Sequence, residues 1–267
     1  MPARATLPPI LDHKSPTAAT VFEPTALLRE ARRQKGLDAE PVPRVCILDP
    51  DGDLVRRLRQ TGAAQRFESW PCYHTRLDVF ALGERDVGIV GCAVGAPFAV
   101  LIAEQLFASG CELLISLTSA GQIVASGAPP YFVVIDRALR DEGTSYHYAA
   151  PTQFAAADPE LVARASEALR HAHLPVATGP SWTTDAPYRE TQSAIEAARQ
   201  QNILAVEMEA AALYAFARAK GAKVLCLAHV TNTMGRSDQD FEKGVADGTA
   251  DALAVLAAVV PALIGTA

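Results

Sequence analysis

The feature that most constrains the fold of this chain is a series of short, unbroken apolar runs separated by helix-like segments. The runs lie along most of its 267 residues, at 44–48, 87–94, 111–117, 131–135 and 223–230. Strands that are apolar at every position are buried on both faces. Their alternation with helical segments therefore predicts an α/β fold whose sheet is covered by helices on both sides.

The length of the chain suits one sizeable core rather than several. Residues 1–40 are predicted to form an N-terminal arm with a short helix, because their first half is rich in proline and threonine and lacks an apolar period. Residues 41–267 show no internal repeat and no linker composition. We therefore expect a single catalytic domain over 41–267.

The composition excludes several classes of protein. A net charge of −6 leaves no basic surface for nucleic acid. No apolar run is long enough to cross a membrane, and no signal-peptide pattern is present, so neither membrane nor export is expected. The five cysteines are scattered, and the histidines lack metal-ligand spacing. This pattern predicts a reducing, cytoplasmic location and no metal site.

Polar residues follow several of the predicted strands. Thr118 and Ser119, Asp185, Glu209 and Asn232 all lie at or just past the carboxyl end of a strand-like run. In sheets covered on both faces, ligands bind at that edge. A small-molecule pocket is expected there, although every strand must end in some polar residue.

Two glutamates interrupt the alanine-rich run that follows residues 203–206. On a helix, Glu209 shares a face with Leu213 and Phe216, whereas Glu207 falls on a more polar side. A buried carboxylate is costly unless it is hydrogen-bonded. Glu209 is therefore either a cap for free N–H groups at the start of the helix or a pocket carboxylate that accepts hydrogen bonds from a ligand.

These residues also carry a resemblance to a known family. Val206-Glu207-Met208-Glu209 resembles the signature of the nucleoside phosphorylase-I superfamily, close to its uridine phosphorylase branch. Weaker motifs fit in order and spacing, and the resemblance runs from about residue 45 to the C-terminal helix. These motifs are Val94-Gly95-Ala96-Pro97, Thr118-Ser119-Ala120-Gly121, Arg140-Asp141-Glu142-Gly143-Thr144-Ser145 and Val230-Thr231-Asn232. Residues 118–122 are predicted to form a small polar turn after their strand, and residues 140–148 a functional loop, because that segment is polar and broken by glycine.

The resemblance implies a three-layer α/β/α sandwich around a distorted, partly closed mixed sheet. It also implies a symmetric homo-oligomer, such as a dimer or a trimer of dimers. The implied reaction is cleavage of the N-glycosidic bond of a (deoxy)ribonucleoside by inorganic phosphate, which gives free base and sugar 1-phosphate. No cofactor is implied beyond phosphate as co-substrate, and a related branch uses water instead.

The motif implies a role for each matching residue. Glu209 would accept hydrogen bonds from ribose hydroxyls, where an anion opposes the positive charge that develops on the sugar. Met208 would pack against the ribose or simply fill the core, and Ser119 would contact ribose or phosphate or make a local turn hydrogen bond. Asn232 replaces the aspartate that protonates the base in purine-specific members, which favours the uridine-like branch. Further substrate-binding candidates from the same motifs are Glu207, Thr118 and Gly121.

Residues 182–191 occupy the region that reads the base in the family, but they lack the glutamine and arginine spacing of uridine phosphorylases. Arg189 either takes over that role in catalysis or lies on the surface. Trp182 and Tyr188 are candidates to stack on the base, and Asp185 is a candidate substrate contact.

The phosphate site departs from the family pattern. The family has Gly-Asp-Pro-Asp-Arg after the first strand, whereas this chain has Leu48-Asp49-Pro50-Asp51-Gly52, and Ser116 replaces a second phosphate arginine. Phosphate needs compensating arginine forks or N–H groups. The candidates to rebuild the site are Arg140, Arg56, Arg57, Arg76 and His74, and His13 in the arm is a candidate for a contact across subunits.

Three functions remain open at this point. The first is a nucleoside phosphorylase. The second is a hydrolytic nucleosidase of the same superfamily, which the missing phosphate arginines would suit. The third is a nucleoside-binding protein that has kept the pocket without the chemistry.

Overall fold

The structure, a computed structural model, describes residues 7–234 and 243–264. Its strands are β1 (Val45–Asp49), β2 (Ala64–Arg66), β3 (Asp78–Leu82), β4 (Arg85–Gly91), β5 (Leu113–Gln122), β6 (Tyr131–Asp141), β7 (Phe154–Ala156), β8 (Val176–Thr184), β9 (Ala205–Glu207) and β10 (Lys223–Thr233). Its helices are α1 (Pro24–Lys35), α2 (Asp53–Gln60), α3 (Ala96–Phe107), α4 (Pro159–His171), α5 (Gln192–Gln200), α6 (Ala210–Lys220) and α7 (Thr249–Ile264), with short 3₁₀ turns at Thr144–His147 and Pro187–Arg189.

These strands form one mixed sheet in the order β10-β6-β8-β9-β5-β1-β4-β3-β2, and β7 pairs with β6. An additional pairing of β10 with β5 joins the first strand of that order to its middle. Five strands therefore close into a ring, and β1, β4, β3 and β2 extend from it as an open wing. The expected distorted, partly closed mixed sheet is confirmed.

Helices cover both faces of the sheet, because its central strands are apolar on both sides. Helices α3 and α6 pack on one face, where Ile102, Leu106, Leu213 and Phe216 are buried. Helices α2, α4 and α7 pack on the other, around residues that include Leu54, Leu161, Val255 and Val259. The predicted three-layer α/β/α sandwich is therefore confirmed.

The parallel strands β1, β5 and β10 bring distant polar residues to one edge of the sheet. Leu48 of β1 lies beside Ser116 of β5, and His229 of β10 lies beside Ser119. Because neighbouring strands run in the same direction, the residues that follow each strand meet at the carboxyl edge.

Three local predictions were wrong. The helix begins at Ala210, so Glu207 ends strand β9 and Glu209 precedes the helix. Thr118 to Gln122 do not form a turn; they continue β5, because they pair with β10 and β9. Arg140 belongs to β6 rather than to a loop, since that strand continues to Asp141 beside β8. In each case pairing with a distant strand overrides the local signal.

The helix of the arm is attached to the body of the protein. Leu28 and Ala31 of α1 are buried, and the Arg32 guanidinium donates to the hydroxyl of Ser109. Within the described part of the chain, no helix is long and apolar enough to cross a bilayer. The five cysteines are free thiols, and only Cys92 is exposed.

Candidate active site

Glu209 lies at the carboxyl edge of the sheet and is only 1% exposed. Its Oε1 accepts the backbone N–H of Gly95 at 2.7 Å, and its Oε2 accepts the hydroxyl of Thr118 at 2.9 Å. Burial, followed by the negative charge of Glu207, raises its pKa to about 8. The carboxyl group thus joins the start of α3 to the end of β5.

Gly95 makes this contact possible through its backbone conformation. It precedes α3 with φ 91° and ψ 148°, a region of backbone space open almost only to glycine. Pro97 follows within the first turn of the helix, where the missing N–H of proline costs nothing. The Gly-Ala-Pro sequence therefore turns the chain sharply and directs an N–H group to Glu209.

Glu207 is 3% exposed, and its carboxylate accepts four hydrogen bonds from protein groups. Its Oε2 accepts the N–H groups of Glu209 and Ala210, each at 2.7 Å, so it is Glu207 that caps the start of α6. Its Oε1 accepts the hydroxyls of Ser181, at 2.9 Å, and Thr183. The prediction that Glu207 lies on the more polar side of a helix was wrong, because residue 207 is at the end of a strand and faces the core.

Met208 lies between the two buried glutamates and is itself only partly buried. Thr118 and Ser119 follow one another on β5, so their side chains project to opposite faces of the sheet. Thr118 is directed to Glu209, and the Ser119 N–H donates to Oδ2 of Asp51 at 3.0 Å. These residues line the edge that the sequence predicted for a pocket.

Asn232 and Gly121 lie beside each other where a bulge interrupts the pairing of β10 with β5. Asn232 is partly buried, and a Cβ atom on Gly121 would lie 2.3 Å from the sulfur of Met234. A larger residue at 121 would therefore require the side chain of Met234 to move. Next to this bulge, the side-chain amide of Gln122 donates hydrogen bonds to the hydroxyl of Tyr131 and to the carbonyl of Gly127.

Three aspartates meet at the end of β1, where the family pattern has a phosphate-binding glycine and arginine. Asp49, Asp51 and Asp53 line a small cavity of about 30 Å³ together with Ser119 and His229. Asp49 accepts the N–H of Val55 at 2.8 Å, and burial raises its pKa to about 6. Lys243 also lines this cavity, but the carboxylates there, Asp247 included, outnumber it, which disfavours an anion.

His229 was not identified from the sequence. It is 8% exposed, its ring stacks on Phe132 with centroids 4.5 Å apart, and its Nε2 has no hydrogen-bond partner among the described residues. Burial lowers its pKa. A histidine within an apolar strand is typical of a core residue, so no signal in the sequence marked it.

Arg140, a predicted phosphate ligand, makes its hydrogen bonds to residues 145–152, which follow it closely in the sequence. Its guanidinium donates to the hydroxyls of Ser145 and Thr152 and to the carbonyls of Ala149 and Ala150. It also stacks on the ring of Tyr146 at 4.3 Å. Four of its five donors are used in this way, and the arrangement favours a role in holding residues 144–152.

The other candidate cations are spread over α2, a second cavity and the exposed arm. Arg56 is exposed and bonds the carbonyl of Asp51 and the carboxylate of Asp53, while Arg57 is exposed on α2. Arg76 lines a different cavity, with Lys35 and Trp70 among other residues, and His74 and His13 are exposed. Lys243, which the sequence did not single out, pairs with Asp53.

The segment predicted to read the base is mostly on the surface. Tyr188 is 99% exposed, and Arg189 is exposed beside it. Asp185 accepts the N–H of Gly143 at 2.8 Å. Trp182 is 4% exposed within an apolar cluster, where its indole N–H bonds Asp141 at 3.0 Å. This placement favours a core role for Trp182 and leaves Tyr188 free to contact a ligand.

The structure adds residues that sequence reasoning did not assign: Gly95, Asp49, Asp51, Ser181, Thr183, His229 and Lys243. The repeated aspartates after β1 and the glycine before Pro97 were visible signals. Among the described residues no group of histidine, cysteine and carboxylate side chains could hold a metal ion.

Known proteins are similar to this chain in sequence. The model of the phosphorylase superfamily matches residues 44–264. Guanosine phosphorylase of Halorubrum lacusprofundi is 30% identical over 158 residues, which are 58% of this chain and 64% of that protein. Uridine phosphorylase of Thermococcus kodakarensis is 26% identical over 189 residues, 64% of this chain and 67% of that protein. The match to the first of these relatives therefore spans less than two thirds of its length.

The fold has close counterparts among solved structures. Uridine phosphorylase from Vibrio fischeri superposes with a TM-score of 0.71 at 21% identity, over 84% of this chain and 93% of that one. The same enzyme bound to 6-hydroxy-1-naphthoic acid gives a TM-score of 0.69, also at 21% identity, over 83% of this chain and 92% of that one. With the shared fold and a family match that covers most of its length, this chain belongs to the phosphorylase superfamily.

Proposed function

We propose that this protein is a nucleoside phosphorylase, a pentosyltransferase close to the uridine phosphorylase branch. The observation that carries the proposal is the buried Glu209, fixed by Gly95 and Thr118 at the carboxyl edge and flanked by the partly buried Met208. The catalytic unit of the proposal is residues 41–267, with 1–40 as an arm. The relatives named above act on guanosine and uridine, so the substrate is a nucleoside.

In this reaction an oxygen of phosphate attacks C1′ of the sugar as the C1′–N bond breaks. The base leaves with the electron pair and takes up a proton, and the products are free base and sugar 1-phosphate. Positive charge develops on the sugar ring, and an ionised Glu209 that accepts hydrogen bonds from ribose hydroxyls stabilises it. Asn232 donates a hydrogen bond but cannot supply the proton, which suits a base that leaves as a stabilised anion.

The test follows base release from a panel of nucleosides while phosphate is varied from none to tens of millimolar, an order-of-magnitude range for weak anion binding. The proposal expects a rate that saturates with phosphate and a sugar 1-phosphate product. The Glu209→Gln variant is the control, because base release that persists in it would come from a contaminating enzyme. Base release at the same rate without phosphate, with free sugar as product, would overturn phosphorolysis.

Hydrolysis is the second candidate, and one observation favours it. Asp51 accepts the N–H of Ser119 at 3.0 Å, so a resident carboxylate holds a donor that phosphate would need. Asp49 and Asp53 add negative charge to the same cavity. Water, unlike phosphate, is not repelled by these groups. The phosphate titration separates the two candidates directly.

The proposal includes a homo-oligomer in the cytoplasm. Large apolar side chains are exposed on α3 and the arm, among them Leu101 (39%) and Phe22 (70%), with Val94 (50%) just before α3. Exposed apolar patches favour association, and closed symmetry is the default for identical subunits. Free thiols support a reducing compartment. Sedimentation at micromolar concentration tests the assembly, and a fully active monomer would contradict it.

A further inference from the structure

Glu207 and Glu209 form a buried pair whose hydrogen bonds are unequal. Glu207 accepts four: from the hydroxyls of Ser181 and Thr183, and from the N–H groups of Glu209 and Ala210. Glu209 accepts two, from Gly95 and Thr118. Since donors stabilise the ionised form of a carboxyl group, negative charge is favoured on Glu207.

The direction of the bonds to Glu207 is fixed. Backbone N–H groups can only donate, so Oε2 of Glu207 can only accept. Thr183 Oγ1 accepts the N–H of Ala211 at 2.9 Å, which directs its single hydrogen to Oε1 of Glu207. A proton on Glu207 would therefore displace one of these donors. The start of α6, with its positive dipole end, adds to the preference for an anion.

Glu209 can hold a proton without losing a bond. Its partner Thr118 also lies 3.3 Å from the carbonyl oxygen of Ser119, which offers the hydroxyl a second acceptor. When Glu209 is protonated at Oε2, it donates to Thr118 Oγ1, and Thr118 donates to that carbonyl. The bond between Glu209 and Thr118 thus reverses. At Glu207 the two N–H groups and Thr183 cannot reverse, and a reversal at Ser181 would take from that hydroxyl the acceptor it now has.

We propose that Glu207 is a positioning residue, held ionised by Ser181 and Thr183, and that the pair keeps one proton, on Glu209, until hydroxyl groups of a sugar bind. The sugar hydroxyls then donate to Glu209, and its proton is released to solvent. The first half of this inference concerns the protein alone. The second half rests on the proposed function, since it names a sugar as the ligand.

The surroundings agree with this assignment. The pKa of Glu209 is raised to about 8, and Glu207 and Asp51 are the charges that raise it after burial. Burial also raises the pKa of Glu207, but the four hydrogen bonds to its carboxylate oppose that rise. Tyr214 on α6 and Cys226 on β10 also face the pair. Burial raises the pKa of each well above its usual value, so both are neutral near pH 7. The pair therefore carries one negative charge there.

Infrared spectroscopy of the whole protein tests the first half without a substrate. The carbonyl stretch of a protonated carboxyl is followed from about pH 5 to about pH 9. The background is Asp49→Asn with Glu190→Gln, because burial raises the pKa of both residues into this range. We expect a buried carboxyl that titrates near pH 8 and is absent in Glu209→Gln. In Glu207→Gln the midpoint should fall by about one pH unit or more, because the neighbouring charge is gone.

Thr183 supplies a second variant in case Glu207→Gln does not fold. Thr183→Val removes a donor from Glu207, so Glu207 competes for the proton and the pair holds it more tightly. The midpoint should therefore rise, and Thr183→Ser should restore it. A band that persists in Glu209→Gln, or a midpoint that neither Glu207→Gln nor Thr183→Val moves, would overturn the assignment.

The second half is tested by calorimetry with uridine and inosine in phosphate-free buffers of different ionisation enthalpy near pH 7. The proposal expects release of close to one proton per ligand bound. Binding without proton release would overturn the second half. If neither nucleoside binds, the choice of a nucleoside ligand fails together with the proposed function, while the infrared result still decides where the proton lies.

Discussion

The backbone N–H of Gly95 donates to Oε1 of Glu209 at 2.7 Å, and the two residues are 114 positions apart in the sequence. One is the residue before α3 and the other is the residue before α6. The two helices pack on the same face of the sheet. Their starts therefore meet at the carboxyl group that the proposed reaction requires.

Gly95→Ala should lower stability and activity together. Space is available, since the nearest atom to a Cβ there is Pro97 Cδ at 4.0 Å, but the backbone conformation is strained for alanine. We expect a loss of about 1–3 kcal/mol in unfolding free energy and of about tenfold or more in kcat/KM. The control is Gly36→Ala at the end of α1, also at positive φ, which should reduce stability by about 1 kcal/mol with unchanged kcat/KM. Equal effects of both variants on kcat/KM would contradict this prediction.

Glu209→Gln should lower kcat/KM by about 10²–10³-fold, because an interaction that is strongest in the transition state is lost. The amide keeps the size of the side chain, so the fold should persist. Steady-state kinetics with the best nucleoside measures the effect, and the exposed Glu84→Gln in the turn between β3 and β4 is the matched control. If Glu207→Gln proves more damaging than Glu209→Gln, Glu209 is not the main catalytic carboxyl.

Stability should fall as pH rises through the pKa of Glu209. Its pKa is raised in the folded protein from the ordinary 4.5 to about 8, so the folded state binds the proton more tightly than the unfolded state. The resulting stabilisation is fully present below about pH 4.5 and lost as pH rises through about 8. Urea midpoints measured from about pH 5 to about pH 9 should show this slope. In an Asp49→Asn, Glu190→Gln background, which removes two other carboxyls of raised pKa, Glu209→Gln should flatten it. An unchanged slope in the variant would assign the effect to other groups.

Arg140→Lys should loosen the segment at 144–152 without affecting a phosphate site. Lysine cannot reproduce the four bonds of the guanidinium, and two of its carbonyl partners would lose their donor. We expect a loss of about 2–4 kcal/mol in unfolding free energy and faster proteolysis of this segment, with KM for phosphate within about twofold of wild type. The half-exposed Arg137→Ala on the same strand should cost about 1 kcal/mol or less. A large rise in KM for phosphate in Arg140→Lys alone would restore its role as a phosphate ligand.

The sequence predicted the sheet and the edge at which Glu209 lies, because apolar runs and polar strand ends are local signals. It could not predict which protein groups hold each glutamate. An alanine-rich run favours a helix from residue 207 onward, yet pairing of Glu207 with Thr183 keeps that residue in a strand. Likewise, nothing near Arg140 in the sequence indicates that its donors are directed to residues 145–152. Both outcomes depend on contacts between distant segments.

Thr118 and Ser119 share the central strand β5, and their side chains serve opposite faces of the sheet. A shift of one residue in the pairing of β5 with β10 would turn the Thr118 side chain to the opposite face of the sheet, away from Glu209. The apolar residues before them would exchange faces too, from the layer of α3 and α6 to that of α2, α4 and α7. Any chain that misaligned this strand would therefore lose its core packing along with its active site. The same pairing register of β5 is thus needed both for the packing of the core and for the contact of Thr118 with Glu209 in the candidate active site.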